Sequence, residues 1–241
     1  MLLVLPPSRG QTPGPPGAAP VQLDSLALPS LTEARTRLVS ALAGTEHDPV
    51  TRPTAPAHTV FTGVLFAAAD LPGAVRSRGA AARRVREDVV IASPLLGMVT
   101  PTDAIPASRL AMGSVPGIGS LGSFWRPALT EALAHRPSQE LVVDVRSSEF
   151  LPLWRPAPTA DWVQVRVEEE VDGERRVVSH AAKHLRGVLV GHLLRRRGAE
   201  PTDARSLLQA ARGLRTSGAI KAAELQHSPR SGTPAVLTLV C

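Results

Sequence analysis

Residues 161–171, DWVQVRVEEEV, restrict the possible folds more than any other stretch of this chain. Apolar and polar side chains alternate along it, and a period of two indicates a β-strand with one buried face. The dipeptide that follows, Asp172-Gly173, favours a tight hairpin turn into a second strand, ERRVVSH. We therefore expect a sheet that contains an antiparallel pair.

Further strands and helices are interspersed along the rest of the chain. Residues 59–69 fit either a helix or a buried strand, and residues 76–86 form a basic segment that we expect to be helical. We predict strands in MLLVL, DVVIASPLLG, ELVVDVRSS, AIKAAELQ and TPAVLTLV, and helices at 30–44 (with a Ser30/Glu33 capping box), 123–134, 184–197 and 202–213 (capped by Thr202). This mixture predicts an α+β fold, with residues 1–241 as a single domain in which helices pack on a mixed sheet.

The stretch GIGSLG at residues 117–122 fits two nucleotide-related patterns. A dinucleotide-binding turn, as in an oxidoreductase, requires a strand just before Gly117, but SRLAMGSVP is not strand-like. A helix-hairpin-helix motif requires a preceding helix, and PTDAIPASRLAMGS holds two prolines and room for barely one turn. We interpret GIGSLG as a glycine-rich connection that enters a helix, and we expect no cofactor.

The charge balance favours a polyanionic partner. The net charge is +6 and the sequence pI is about 11.0, although all but two of the 27 basic residues are arginine, which by itself raises the pI. The single cysteine, Cys241, excludes an intramolecular disulfide and fits a reducing compartment. The apolar start MLLVL is too short for a secretion signal, and no run is long enough to span a bilayer, so we expect a cytoplasmic protein without a membrane partner.

Six stretches occur in a recognisable order: MLLVLPPSRGQT, FTGVLF, SPLLGMVTPTDAIPASRLAMGS, GSFWRPALTEALA, VVDVRSSEF and VVSHAAKHLRG. Together they resemble the peroxide stress protein YaaA family over most of the chain. The resemblance implies an α+β fold of that family's own type, a cytosolic location, a role in surviving hydrogen peroxide, DNA binding and the limitation of free iron. The sequence departs from the family pattern at Gln11, where a lysine is common, and at Ser108, where an aromatic residue is usual; the segment 44–58 looks shortened.

A candidate site for phosphate lies in the segment HAAKHLRGVLVGHLLRRR. On a helix, Lys183, Arg186 and Arg197 fall on one edge beside an apolar stripe. Such an edge could bind phosphates, or it could be an ordinary solvated helix face. Arg109 and Trp125 could supply a cation and a ring for a stacked base, although Trp125 fits core packing equally well. Hydroxyl contacts could come from Ser8, Thr12 and Ser147, and further phosphate contacts from the arginines at 76–86 and 195–197.

Our leading hypothesis is a DNA-binding protein that recognises the phosphate backbone of structured or damaged duplex and limits iron-driven damage under peroxide stress. The alternative is an enzyme that acts on a nucleotide or nucleic-acid phosphate through Ser8, Asp144 or Ser147 in the same basic cleft. Among His180, His184 and His192 we expect no metal site. The i, i+4 pair His180 and His184 lacks the glutamate of an H-E-x-x-H motif, Lys183 beside it opposes the binding of a cation, and we expect His180 to end a strand.

Overall fold

The computed structural model describes residues 1–171, 174–177, 180–228, 230 and 232–241. The predicted turn at Asp172-Gly173 lies outside this part of the chain, as do Ser179 and the side chain of His180. The strands are β1 Leu2–Leu5, β2 Thr54–Pro56, β3 Val89–Ser93, β4 Gly97–Val99, β5 Ala104–Pro106, β6 Ser114–Val115, β7 Gly119–Ser120, β8 Leu141–Asp144, β9 Asp161–Val171, β10 Glu174–Val177, β11 Ala222–Gln226 and β12 Ala235–Val240.

Eight strands of the described chain form one large sheet in the order β11-β12-β9-β8-β1-β3-β4, with β10 paired to β9. The five strands from β12 to β3 are parallel, and β11, β4 and β10 are antiparallel to their neighbours. The inner strands β1, β3 and β8 are buried along their whole length, because helices cover both faces of a parallel sheet. The mixed sheet and its helices confirm the predicted α+β class.

The alternating stretch forms the longest strand, β9, as predicted. Its buried side chains include Val163, Val165 and Val167, and the intervening Arg166 is exposed. β10 pairs with the carboxyl half of β9 in antiparallel register, with Glu174 opposite Val171. The two other sheets are small, each with two strands: β2 with β5, and β6 with β7.

The helices are α1 Thr32–Ala41, α2 Ala57–Val60, α3 Val64–Ala69, α4 Leu71–Arg76, α5 Ala80–Glu87, α6 Leu121–Ala132, α7 His180–Arg195 and α8 Ala204–Arg212. Residues 59–69 are thus helical where they are regular. α7 and α3 pack together unusually closely, because a Cβ on Gly187 would lie 2.2 Å from the carbonyl oxygen of Leu65. Because glycine has no side chain, Gly187 permits this close contact between α7 and α3.

Several predicted helix ends are wrong. The Ser30/Glu33 capping box does not form, since α1 follows a 3₁₀ turn and has no side-chain cap. Asp203, not Thr202, caps α8 through a reciprocal box with Ser206. α7 begins at His180, which we expected to end a strand, and it stops before Arg197.

The glycine-rich stretch is a connection that enters a helix, as we interpreted it. β6 and β7 make a small hairpin around Gly117, and Leu121 then begins α6. The strand before Gly117 has two residues and lies outside the large sheet, which contradicts the dinucleotide-binding hypothesis. No helix directly precedes the hairpin within residues 88–120, so the helix-hairpin-helix interpretation fails as well.

The strand order places a crevice at one end of the sheet. The chain leaves β1 for β3 on one side, and later runs through β8, β9 and β12 on the other side. Such a reversal opens a gap beyond the carboxyl ends of the two strands that flank it, here β1 and β8. Across the described residues, we find no helix long and apolar enough to cross a membrane.

Candidate functional site

A cleft of about 860 Å³ lies at this crevice, and we call it the basic cleft. The loops after β1, β3 and β8 form one part of its wall, and the segment 105–111, the start of α3 and the first turns of α7 form the rest. Its lining consists of Pro6, Pro7, Ser8, Arg9, Gly10, Gln11, Phe61, Gly63, Val64, Leu65, Phe66, Ser93, Pro94, Leu95, Leu96, Ile105, Pro106, Ser108, Arg109, Leu110, Ala111, Ser147, Glu149, Phe150, Lys183 and Arg186.

Positive charge dominates this wall. Four cationic side chains line it, and Glu149 is the acidic residue among the lining positions. Arg9, Arg109 and Lys183 are exposed, and the described residues contain no hydrogen bond or ion pair made by these three side chains. The cations are therefore available to an anionic ligand and are not neutralised by neighbouring acids.

Arg186 is held more deeply. Its Nε donates a hydrogen bond to the carbonyl oxygen of Val165 on β9 at 3.0 Å, and the side chain is half-buried. Burial lowers the pKa of the Arg186 guanidinium, and the negative charge of Asp144 partly offsets this effect. An arginine held by one hydrogen bond keeps its other N–H groups for a bidentate contact with a phosphate.

A side-chain amide joins two loops of the cleft. Gln11 donates from Nε2 to the carbonyl oxygens of Ser8 (2.8 Å) and Ser108 (2.7 Å), and its Oε1 accepts from the Ser108 N–H (2.8 Å). The two positions that depart from the family pattern are thus each other's partners. Because Arg9 and Arg109 adjoin the two ends of this link, Gln11 restrains the loops that carry both cations.

The serines of the cleft differ in their engagement. Ser8 is buried and its hydroxyl oxygen accepts a hydrogen bond from the Gly63 N–H at 2.9 Å. Ser147 is half-buried at the end of the β8 loop, and its carbonyl oxygen accepts from the Phe150 N–H. Both serines line the basic cleft, and in the described structure neither hydroxyl group donates a hydrogen bond.

Asp144 lies outside the cleft lining and is fully committed elsewhere. Its carboxylate accepts from the Arg146 guanidinium at 2.9 and 2.7 Å and from Trp162 Nε1 at 3.2 Å. Arg146 in turn donates to the carbonyl oxygens of Phe150 and Trp154. Asp144 therefore shapes the 3₁₀ segment Ser148–Leu153 through Arg146 rather than facing a ligand.

Three expected contact residues lie away from the cleft. Trp125 is fully buried, and its Nε1 donates to the Pro94 carbonyl oxygen at 2.9 Å, so no base can stack on its ring and its predicted role is wrong. Thr12 is exposed but does not line the cleft. Arg197 borders a separate hollow of about 470 Å³ with His192, Arg195 and Arg196.

The arginine clusters outside the cleft are mostly engaged. Arg195 pairs with Asp70 at 2.6 Å, and Arg196 donates to the Ala199 carbonyl oxygen. Arg83 pairs with Glu87 and Glu200, and the buried Arg84 donates to carbonyl oxygens at the end of α7. Cations that already have partners gain less from a phosphate. In the described part of the chain, no group of three His, Cys, Asp or Glu residues is arranged to hold a metal ion.

Arg9 and Phe150 line the cleft and were missed at the sequence level. They follow β1 and β8, which are adjacent parallel strands. The signal was present in two short apolar runs, each followed by polar residues. Using it required knowing that these runs pair in parallel, which periodicity alone does not reveal.

Comparison with known proteins gives a consistent result. The family model described as peroxide stress protein YaaA matches residues 30–216. A UPF0246 protein of Streptomyces coelicolor is 34% identical over 239 residues, covering 89% of this chain and 90% of that protein. UPF0246 proteins of Corynebacterium efficiens (35% identical; 88% of this chain, 92% of that protein) and Corynebacterium glutamicum (33%; 88% and 93%) are similar over nearly their whole length.

Proposed function

This chain belongs to the peroxide stress protein YaaA family, and from that premise we propose that it binds DNA in the basic cleft, in the cytoplasm, and so protects the cell against hydrogen peroxide. The observation that carries the proposal is the set of unpaired cations, Arg9, Arg109 and Lys183, which line one concave surface together with Arg186. Arginine and lysine are the side chains that neutralise the phosphates of a nucleic-acid backbone.

The alternative, an enzyme that acts on a nucleotide or nucleic-acid phosphate, has weaker support. A concave site suits such an enzyme, and Ser8 and Ser147 both line it. A nucleophilic serine also needs a general base within hydrogen-bond reach. Asp144 is bound to Arg146 and Trp162 instead, and in the described structure no hydrogen bond joins Ser8 or Ser147 to Glu149, the acid that lines the cleft. The arrangement therefore favours stoichiometric binding over turnover.

The physiological outcome that we propose is less iron-driven damage to DNA. A direct test exposes plasmid DNA to ferrous iron and hydrogen peroxide with and without the protein, and counts strand breaks. Fewer breaks with the wild-type protein than with a variant that does not bind DNA would support the proposal. Equal protection by both proteins would show that DNA binding is not the protective step.

DNA binding itself is tested by charge reversal. We expect Lys183→Glu with Arg109→Glu to weaken the binding of a labelled DNA duplex strongly, measured by fluorescence anisotropy. Arg212→Glu with Arg215→Glu is the matched control, because both arginines are exposed, lie outside the cleft and make no side-chain hydrogen bond in the described structure. Equal loss of affinity in control and test variants would point to general charge and not to the cleft.

A further inference from the structure

We propose that the basic cleft encloses a single unstacked nucleotide, with its phosphate on the cations and its base against Phe150. This inference rests on the proposed function and specifies what part of a DNA molecule enters the site. A cleft of about 860 Å³ is in the range that encloses one small ligand. A base that remains stacked in a duplex cannot enter such a site, so the nucleotide must be free, terminal, bulged or extruded.

The cleft wall offers two kinds of surface to such a ligand. The cations Arg9, Arg109 and Lys183 are exposed, whereas the lining residues Val64, Leu110 and Phe150 are half-buried and apolar. A nucleotide has the same division, because its phosphate is anionic and its base has apolar faces. An elongated DNA backbone without an extruded base would use the cations and leave the apolar part of the wall empty.

Phe150 is the ring best placed to contact a base. Phe61 and Phe66 also line the cleft, but they are only 4% and 3% exposed and pack against each other, with ring centroids 5.1 Å apart. Phe150 is half-buried, and its backbone is held by Arg146 Nη1 at 3.2 Å. Asp144, through Arg146, is therefore a positioning residue for this ring.

The cationic side of the cleft is also restrained before a ligand arrives. The Gln11 amide ties the loop that carries Arg9 to the loop that carries Arg109 by hydrogen bonds of 2.7 to 2.8 Å. Loops held in place lose less conformational entropy on binding. Such restraint suits the recognition of one phosphate group at a defined distance from a base.

The test uses three probes: a fully paired DNA duplex, the same duplex with one bulged 2-aminopurine, and 2-aminopurine deoxyribonucleoside 5′-monophosphate. We expect the bulged duplex to bind more tightly than the paired duplex. Loss of base stacking in Phe150→Ala should weaken binding of the bulged probe by roughly 5- to 150-fold and leave the paired duplex unaffected. Phe150→Trp again supplies a ring for stacking, so it should show the preference for the bulged duplex that Phe150→Ala loses. A purely structural defect at this position would not allow that recovery.

The outcomes separate the two proposals. Equal, salt-dependent binding of both duplexes that does not change in Phe150→Ala overturns the nucleotide inference and leaves DNA binding standing. A third outcome is that only the free monophosphate binds and that both Phe150→Ala and Arg109→Ala abolish this binding. That result supports a nucleotide site whose ligand is a free nucleotide, and it refutes the DNA-binding proposal. Binding of none of the probes overturns both.

Discussion

Removing the two exposed, unpartnered cations Lys183 and Arg109 should change the salt dependence of DNA binding by a defined amount. Neither side chain makes a hydrogen bond or ion pair in the described structure, so the Lys183→Ala, Arg109→Ala variant should keep its fold. Arg186 is less suitable, because its removal would leave the Val165 carbonyl oxygen without this partner.

The size of the effect follows from the number of cations in the cleft. If all four lining cations each neutralise one phosphate, the slope of log K against log salt is about −3.6, which is a loss of affinity of about 150-fold between about 50 and 200 mM salt. With two cations removed, the slope falls to about −1.8 and the loss over the same range to about 12-fold.

The assay is fluorescence anisotropy with a labelled duplex across a salt series. Thermal unfolding of each variant verifies the fold, and Arg212→Ala with Arg215→Ala is the control that loses the same number of charges outside the cleft. A slope that stays at the wild-type value in the double variant would refute the reasoning, because it would place the phosphates on other cations.

Three further predictions concern the framework around the cleft. Trp125→Phe should lower the free energy of unfolding by about 1–3 kcal/mol in urea titrations, because the Pro94 carbonyl oxygen loses its hydrogen-bond donor. The same variant should bind DNA with unchanged affinity. A large loss of affinity in a folded Trp125→Phe protein would show that the ring contributes to DNA binding after all. Gly187→Ala should destabilise the protein by about 1–3 kcal/mol, because its Cβ would lie 2.2 Å from the Leu65 carbonyl oxygen and push α7 away from α3, and an unchanged melting temperature would contradict this contact. Burial raises the pKa of Asp88 to about 6 from its ordinary 3.8, and nearby Glu200 adds to the increase, so this group keeps its proton to higher pH in the folded protein than in the unfolded chain. The contribution of Asp88 to the free energy of unfolding therefore falls as the pH rises from about 4 to about 6. Over that range, unfolding measured at several pH values should show Asp88→Asn becoming increasingly stable relative to wild type. A stability difference that does not depend on pH would show that Asp88 does not titrate as proposed.

Local patterns predicted the elements of this fold better than their arrangement. The alternation in 161–171 gives β9, and the apolar run at the start of the chain gives β1, because burial of one or both faces leaves a direct mark on the sequence. The parallel pairing of β1 with β8 leaves no such mark, since the two strands are more than 130 residues apart. For the same reason, the cleft that their loops form could not be derived from either segment alone.

The candidate site shows the same division. Lys183 and Arg186 are close in sequence, and helical spacing places them together correctly on α7. Trp125 was misassigned because an aromatic residue at a helix start has the same sequence pattern whether it faces a ligand or the core. The link between Gln11 and Ser108 joins residues 97 positions apart, and only the folded chain brings them into contact.

The most direct test of the account is a hydrogen–deuterium exchange footprint of the protein with and without a DNA duplex. We predict that DNA slows exchange at backbone amides of the basic cleft, in residues 8–11, 107–111, 147–150 and 181–186. Slower exchange confined to the separate hollow around residues 195–197, with the cleft unchanged, would contradict the central claim that the cations of the basic cleft receive the DNA.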